Sequence, residues 1–399
     1  MRILYVSALS SRRVVDKIYA TTGINPGYAI QKFSRLVVEG FQENGVHTTA
    51  LSNPPITRRE NGSLWVSLRS EEENGIDYKY IPFINAPLIK HFCVFTYTFF
   101  YVLFWGIGHK KDKAIVCDVL SISNCFGALL ASKLNRIKSV AVVTDIYSQM
   151  IGKKPTGSSA VLRKTAGLMQ QWYSTSFTHY VLLTEAMNVV VNPKHRPYIV
   201  MEALCERSYD DLAESTHYKE YPATILYAGG VEEKYGLKAL VNAFRKISRV
   251  DIRLVIYGHG SYVNELKNVS ELDKRIEYRG IAPNEEIVKA ERAATLLVNP
   301  RFTEEMFARF SFPSKNMEYM TSGTPVLTTI LPGMPKEYHH YVFLFDEGEN
   351  VEGYASVIER VISLPPQELE EKGKQARRFV LREKNNLIQT KRIIQLISN

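Results

Sequence analysis

The sequence predicts an α/β fold built from two Rossmann-like parallel-sheet domains in tandem. Three observations carry this. The chain has 399 residues, more than one ordinary domain and a fit for two of average size. Short apolar strands alternate with helical patterns along both halves, the arrangement of a parallel sheet covered on both faces. Apolar residues make up 45% and charged residues 23%, a soluble globular balance that disfavours disordered, collagen-like and coiled-coil readings.

In the first half residues 3–6 read as a strand. Residues 29–43 follow as a helix, with Ile30, Phe33, Leu36, Val37 and Phe41 at helical spacing, and Asn44-Gly45 stops it before a strand at 47–51. Further strands are expected at 64–68, 78–83, 114–116, 139–143 and 180–183, with helices at 124–134, 159–174 and 185–191 between them. The strand-poor stretch 206–221 divides the chain. Beyond it, strands at 224–227, 253–257, 276–279, 295–298, 325–328 and 342–345 alternate with helices at 237–247, 262–267, 284–293 and 315–321. Three helices close the chain, at 354–364, 366–377 and 381–397. The last has Leu387, Ile388, Ile393, Ile394 and Leu396 in need of a surface to cover.

Cys93, Cys117, Cys125 and Cys205 form no Cys-x-x-Cys pair, so no structural zinc site is expected and a reducing cytosol fits best. The N-terminus is too short in apolar residues for a secretory leader and reads as the first strand. Charge is uneven. Residues 1–205 hold 23 Lys and Arg against 13 Asp and Glu, a balance of +10, whereas the remainder holds 27 against 28. The first half is therefore expected to meet something anionic, a membrane surface or nucleic acid. No nucleic-acid-binding signature accompanies the charge.

Residues 92–108 break the alternation. They are apolar and aromatic, with Lys90 before and His109-Lys110-Lys111 after. At this length three placements are open: across a membrane, in its interface, or buried within the domain. Lys153, Lys154, Arg163 and Lys164 add a basic stretch near Trp172 and Tyr173 that reads as membrane-facing.

The second half carries the informative motifs. Pro313 is placed to open a helix and Gly323 to close it, so free N–H groups and the positive dipole end lie beside Ser314 and Lys315, a phosphate-binding geometry. Glu318, one turn on, is within reach of a sugar hydroxyl next to such a phosphate. Gly229-Gly230 follows a strand and leads to Lys234, whose ammonium can reach a ligand phosphate. Gly258-His259-Gly260 follows the next strand, and Asn299-Pro300-Arg301 follows another, offering a guanidinium for a diphosphate. In the first half Asp145 follows a strand, where an Asp commonly caps a helix. Gly23 and Gly27 frame a loop, and Thr184-Glu185 follow another strand.

The run Gly-Gly-x-Glu-Glu-Lys-x-Gly-Leu at 229–237, Gly-x-Gly at 258–260, Asn-Pro-Arg at 299–301 and Phe-Pro-Ser-Lys-x-x-Glu-Tyr-Met-x-Ser-Gly-x-Pro-Val at 312–326 resembles the donor-binding half of retaining GT-B glycosyltransferases of family 4, particularly bacterial polysaccharide members. The match is strong over residues 224–341 and holds for the first half only by layout. The resemblance implies a GT-B fold with a central cleft and a C-terminal helix crossing back. On that pattern the chain divides into an acceptor-binding, membrane-facing domain at 1–205, a donor-binding domain at 206–380, and a helix at 381–399 returning to the first domain. It implies transfer of a sugar from a nucleotide diphosphate sugar to a lipid-linked glycan or polysaccharide, while the charge asymmetry and the apolar segment 92–108 lead to the expectation of a cytoplasmic protein, peripheral on the inner membrane face. It assigns catalysis to Asp145, Lys234 and Arg301. The donor falls to Gly229, Gly230, Gly258, Gly260, Ser314, Lys315 and Glu318, and the acceptor to Gly23, Gly27, Thr184 and Glu185. No cofactor or metal is expected, and no Asp-x-Asp motif appears. The chain departs from the family pattern where Gly230 replaces a common Arg and Phe310 a common Glu, with Glu304 and Glu305 nearby. A GT-B sugar-nucleotide epimerase and a non-catalytic glycosyltransferase-like partner subunit remain alternatives.

Overall fold

The computed structural model describes all residues except 23–27, 57–62, 108–112, 147–167, 169–170, 208–220 and 305. The helix expected at 159–174 and the basic residues Lys153, Lys154, Arg163 and Lys164 fall largely outside the described residues. Two compact units emerge, one made of Met1–Leu204 with Asn386–Asn399, the other of Cys205–Asn385.

The first unit runs β1 (Arg2–Ser7), α1 (Arg12–Thr22), α2 (Tyr28–Glu43), β2 (His47–Ser52), β3 (Trp65–Val66), β4 (Glu71–Glu73), β5 (Ile76–Tyr80), β6 (Phe83–Ile84), α3 (Pro87–Gly106), β7 (Lys113–Asp118), α4 (Ile122–Asn135), β8 (Lys138–Val143), β9 (His179–Leu182), α5 (Ala186–Val191) and β10 (Tyr198–Val200). Its eight-stranded sheet has the order β10-β9-β8-β7-β1-β2-β5-β4, parallel except for β4 on β5. Ile3 to Val6 are buried, as a strand covered on both faces demands.

Three local departures from the expected elements have physical causes. The strand expected at 78–83 splits into β5 and β6 because Pro82 has no N–H for a ladder. β6 instead pairs antiparallel with β3, so residues 64–68 join a separate two-stranded ribbon. The acidic β4, which no propensity suggests, is folded onto β5 by a two-residue turn in which Asn74 (φ 54°) and Gly75 (φ 74°) both take left-handed conformations.

Helix α3 lies along α4. Val94, Thr98 and Val102, four residues apart, are fully buried, and Thr98 Oγ1 donates to Asn124 Oδ1 at 2.6 Å. At the other end Asn135 Nδ2 donates to the Leu103 carbonyl at 2.9 Å. Of the three placements open for residues 92–108, a membrane-spanning one conflicts with this lengthwise packing.

The second unit runs β11 (Ala223–Gly230), α6 (Leu237–Lys246), β12 (Ile252–His259), α7 (Val263–Leu272), β13 (Ile276–Gly280), α8 (Asn284–Ala293), β14 (Leu296–Asn299), α9 (Ser314–Ser322), β15 (Val326–Thr328), β16 (Phe343–Leu344), α10 (Val351–Ile362) and α11 (Pro366–Glu383). Its six strands are all parallel in the order β13-β12-β11-β14-β15-β16. One core joins Tyr227, Leu240, Phe244, Ile256, Val298 and Tyr354 across sheet and helices.

The final helix, α12 (Asn386–Ser398), belongs to the first unit. The single helix expected at 381–397 is interrupted at Lys384–Asn385, because the Lys384 carbonyl accepts from Cys205 N–H at 3.1 Å and Asn385 Nδ2 folds back on the Leu381 carbonyl at 2.6 Å. On α2, Gly40 lets α12 approach closely: a Cβ there would lie 2.4 Å from the Asn386 carbonyl oxygen and 2.6 Å from Thr390 Oγ1. Asn44 Nδ2 donates to the Leu387 carbonyl at 2.9 Å. Ile393 and Ile397 are buried, each contributing about 1.5–3 kcal/mol. A chain ending at Asn385 is therefore expected to expose the α2 face and lose about 3–6 kcal/mol, a large share of a domain's stability. Thermal melting checks this; an unchanged midpoint would mean that α12 contributes nothing to the unit.

Candidate active site

In the second sheet the chain builds outward from β11 to β13 on one side and from β14 to β16 on the other. The direction of winding therefore reverses between the adjacent strands β11 and β14, and the carboxyl edge at such a reversal is the usual ligand position in these sheets. Every glycine- and cation-bearing motif of the second half ends at this edge.

Gly229 and Gly258 sit side by side at the ends of β11 and β12. Gly258 has φ 128°, and a Cβ on it would lie 1.7 Å from the Gly229 carbonyl oxygen, so no side chain fits. A Cβ on Gly260 would meet the Val231 carbonyl oxygen at 2.2 Å. Glu232 ties these two loops together, accepting from Ser261 N–H at 3.1 Å and from Ser261 Oγ. Those bonds hold its carboxyl below the ordinary range.

The third loop closes on the first. Gly236 (φ 78°) passes so near Pro300 that a Cβ would be 1.8 Å from its carbonyl oxygen, which also accepts from Tyr354 Oη at 2.9 Å. Tyr235 thereby becomes the meeting point of two cations. The Arg301 guanidinium stands 4.7 Å from its ring centre and Lys234 Nζ 5.2 Å. Lys234 is exposed and Arg301 partly buried. Burial pushes the Arg301 guanidinium below its ordinary value, partly opposed by Tyr235 and Tyr227.

Helix α9 supplies the fourth wall. Pro313 precedes it with extended backbone, Ser314 is its exposed first residue, and Gly323 (φ 82°) ends it. Lys315 does not project into solvent. Its side chain crosses over Gly229, where a Cβ would come 2.2 Å from Lys315 Cε, and its ammonium donates to the Ala228 carbonyl. Burial pushes its pKa down, with Glu318 and Glu291 opposing and Arg301 adding to the shift. An enclosed cation of this kind gains most from an arriving anion. Glu318, one turn later on the same helix, is half-buried.

Several members of the site have no sequence signal of their own. Tyr319 Oη receives the Ala228 N–H at 2.9 Å and locks α9 to the end of β11. Asn299 Nδ2 donates to Asn316 Oδ1 at 2.7 Å, tying β14 to α9. The buried Glu291 on α8 acts electrostatically on Lys315 and Tyr319. The small residue at Gly229 was the available clue that a long side chain passes over the strand end.

Gly229, Gly230, Gly258, Gly260, Lys234, Arg301, Ser314, Lys315 and Glu318 thus all belong to one sheet edge of the second unit. Asp145, Thr184 and Glu185 lie in the first. Asp145 is exposed just after β8, and its Oδ1 accepts from Ile146 N–H at 2.7 Å. Thr184 is buried after β9. Glu185 precedes α5 and accepts from Tyr198 Oη at 2.5 Å. Gly23, Gly27 and Glu305 lie outside the described residues. Phe310 is half-buried under the Arg309 guanidinium, 5.3 Å from its ring centre.

Residues 209–379 match the family described as glycosyl transferases group 1. No curated protein resembles the chain closely enough in sequence to count as a relative. Among solved structures, sucrose-phosphate synthase from Thermosynechococcus elongatus is similar at a TM-score of 0.64 and 13% identity, over 99% of this chain and 98% of that one. Anabaena HepE in complex with UDP is similar at 0.63 and 13%, with both chains wholly covered. The lipopolysaccharide outer core galactosyltransferase WaaB aligns at 0.61 and 14%, over 100% and 99%. At such identities these likenesses show the fold, two open parallel-sheet domains of the GT-B type. With the group 1 domain on the half that carries the converging loops, the chain is a glycosyl transferase.

Proposed function

We propose that the chain is a retaining glycosyltransferase of family 4 that moves a sugar from a nucleotide diphosphate sugar to a lipid-linked glycan or polysaccharide acceptor, working peripherally on the cytoplasmic face of the inner membrane. One observation supports the donor above all: at the carboxyl edge of β11 and β14, glycines that admit no side chain meet two partly buried cations and a helix N-terminus. HepE is described in complex with UDP and with UDP-glucose, which makes uridine nucleotides the first to try here.

As the bond from the anomeric carbon to the diphosphate breaks, negative charge grows on the departing phosphate. Lys234, Arg301 and Lys315 supply the opposing charge, and the N–H groups beside Ser314 supply oriented dipoles. Gly229, Gly230, Gly258 and Gly260 let backbone come close to the ligand, and Glu318 accepts the ribose hydroxyls. Because the chain's own cations carry this charge, turnover is expected to persist after chelation of divalent metals. On the acceptor side, Asp145 is proposed to orient the attacking hydroxyl, and Gly23, Gly27, Thr184 and Glu185 to contact the acceptor. Anionic lipid is the proposed surface for the basic first half.

Glu318→Ala tests the reading. UDP affinity should fall by about tenfold or more, since a hydrogen bond to a charged group contributes about 1.5–3 kcal/mol, while melting in the absence of ligand stays unchanged. Titration calorimetry measures it, and unaltered affinity would remove Glu318 from the site. The departures at Gly230 and Phe310 favour one second reading, the non-catalytic subunit. Product analysis separates the readings: sugar transfer only with acceptor marks the transferase, conversion of the sugar nucleotide alone marks the epimerase, and nucleotide binding without turnover marks the silent subunit.

A further inference from the structure

Helix α3 has two faces of opposite use. Val94, Thr98 and Val102 are spent on α4, whereas Leu88, Phe92, Phe100 and Phe104, at multiples of four residues with the half-buried Thr96 between the two pairs, are exposed by 50–85% on the other side. Ile107 extends the stripe past the helix end. A helix of this length runs about 30 Å, so the stripe is a long apolar band. An aromatic chain widens it: Phe95 meets Phe126 at 5.7 Å between ring centres, and Phe126 meets the exposed Trp172 at 5.8 Å.

The rim of the band is cationic. Lys113 Nζ stands 4.9 Å from the Trp105 ring centre and Lys133 Nζ 4.6 Å from that of Trp172, with Lys194 near enough to act on Lys133. Lys90, on the helix itself, stands over Phe83. Among the described residues α3 itself carries no acidic side chain. Soluble domains rarely expose this many large apolar side chains along one helix face without a use for them.

We infer that α3 is an in-plane membrane anchor whose Leu88, Phe92, Phe100, Phe104 and Ile107 edge enters the interface of an anionic leaflet. The choice of occupant follows from charge. Aromatic side chains edged by lysines fit the boundary between acyl chains and anionic headgroups, and the +10 balance of residues 1–205 adds long-range attraction. A second copy of the chain would bring the same lysines against themselves. The inner face is engaged by α4, so the helix lies along the membrane and does not cross it. The inference rests on the lipid-linked acceptor reading only in giving the anchor a purpose.

Full-length protein sedimented with phosphatidylcholine vesicles, with and without phosphatidylglycerol, tests it. Binding is expected to require phosphatidylglycerol, to weaken with salt and to be released by alkaline carbonate. Phe100→Glu with Phe104→Glu should lower the partition coefficient by more than about tenfold, and Phe100→Ala with Phe104→Ala by less. Melting and stabilisation by UDP, measured without vesicles, should match wild type in both variants. Wild-type partitioning of the glutamate variant, retention after carbonate, or a wild-type dimer that the variant dissociates would each overturn the anchor. Loss of UDP stabilisation in the wild type would strike the donor reading and leave the anchor standing.

Discussion

Gly258→Ala is expected to abolish UDP binding and to lower the melting point of the second unit by roughly 6 °C or more. The backbone there, φ 128°, is one that a side chain adopts only at a cost of about 1–3 kcal/mol. The larger effect is steric. A Cβ placed 1.7 Å from the Gly229 carbonyl oxygen forces β11 and β12 apart at their ends, where the glycine loops begin. The neighbour is backbone, which cannot swing aside as a side chain tip would. At 2–4 °C per kcal/mol for a unit of this size, about 3 kcal/mol gives the stated shift. Calorimetric melting with and without UDP measures both effects, and a variant that melts and binds like wild type would mean that the strand ends are not the binding edge.

Lys315→Ala should slow sugar transfer by about a hundredfold to a thousandfold, the range seen when one preorganised group facing a developing charge is removed. The fold should not suffer, because burial disfavours the charged amine. The sign is definite. With its folded pKa below the ordinary lysine value, Lys315 binds fewer protons folded than unfolded in the interval between the two. Its destabilising share is present below the folded pKa and fades as pH rises towards the unfolded one. Alanine at 315 should therefore melt no lower than wild type at neutral pH. In the wild type, transfer should decline at alkaline pH earlier than an ordinary lysine would allow, as Lys315 loses its proton. Lys315→Arg is not expected to rescue, since the path over Gly229 admits a slender amine and the guanidinium fork is broader. A pH profile for the alanine variant with the same alkaline limb as wild type would assign that limb to another group.

The alternation of strands and helices was readable because parallel strands, buried on both faces, are written as apolar runs such as Ile3 to Val6. The place of the glycine- and cation-bearing loops was readable for a related reason: each follows a strand directly, so its position at the carboxyl edge needs no long-range information. What tertiary contact decides was hidden. Three glutamates at 71–73 have little preference for a strand and become one because Asn74-Gly75 folds them onto β5. The break before α12 depends on Cys205 taking the Lys384 carbonyl across 179 positions of chain. Lys315 was legible as a cation at a helix start; that its side chain turns inward over the strand end, because Gly229 carries none, was not.

The pairing of Cys205 with Asn385 also bears on how the polypeptide is made. The second unit is one uninterrupted stretch whose first and last residues lie together, so it contains everything it needs once residue 385 has left the ribosome. The first unit begins earlier and finishes later, because α2 stays uncovered until Ile393 and Ile397 arrive. Vectorial synthesis usually lets the leading domain fold first. Here the order is reversed for completion: the leading unit waits half-built, with the Gly40 face of α2 open, throughout translation of the trailing one. Ribosomes stalled near residue 385 should therefore carry a protease-resistant second unit attached to a protease-sensitive first.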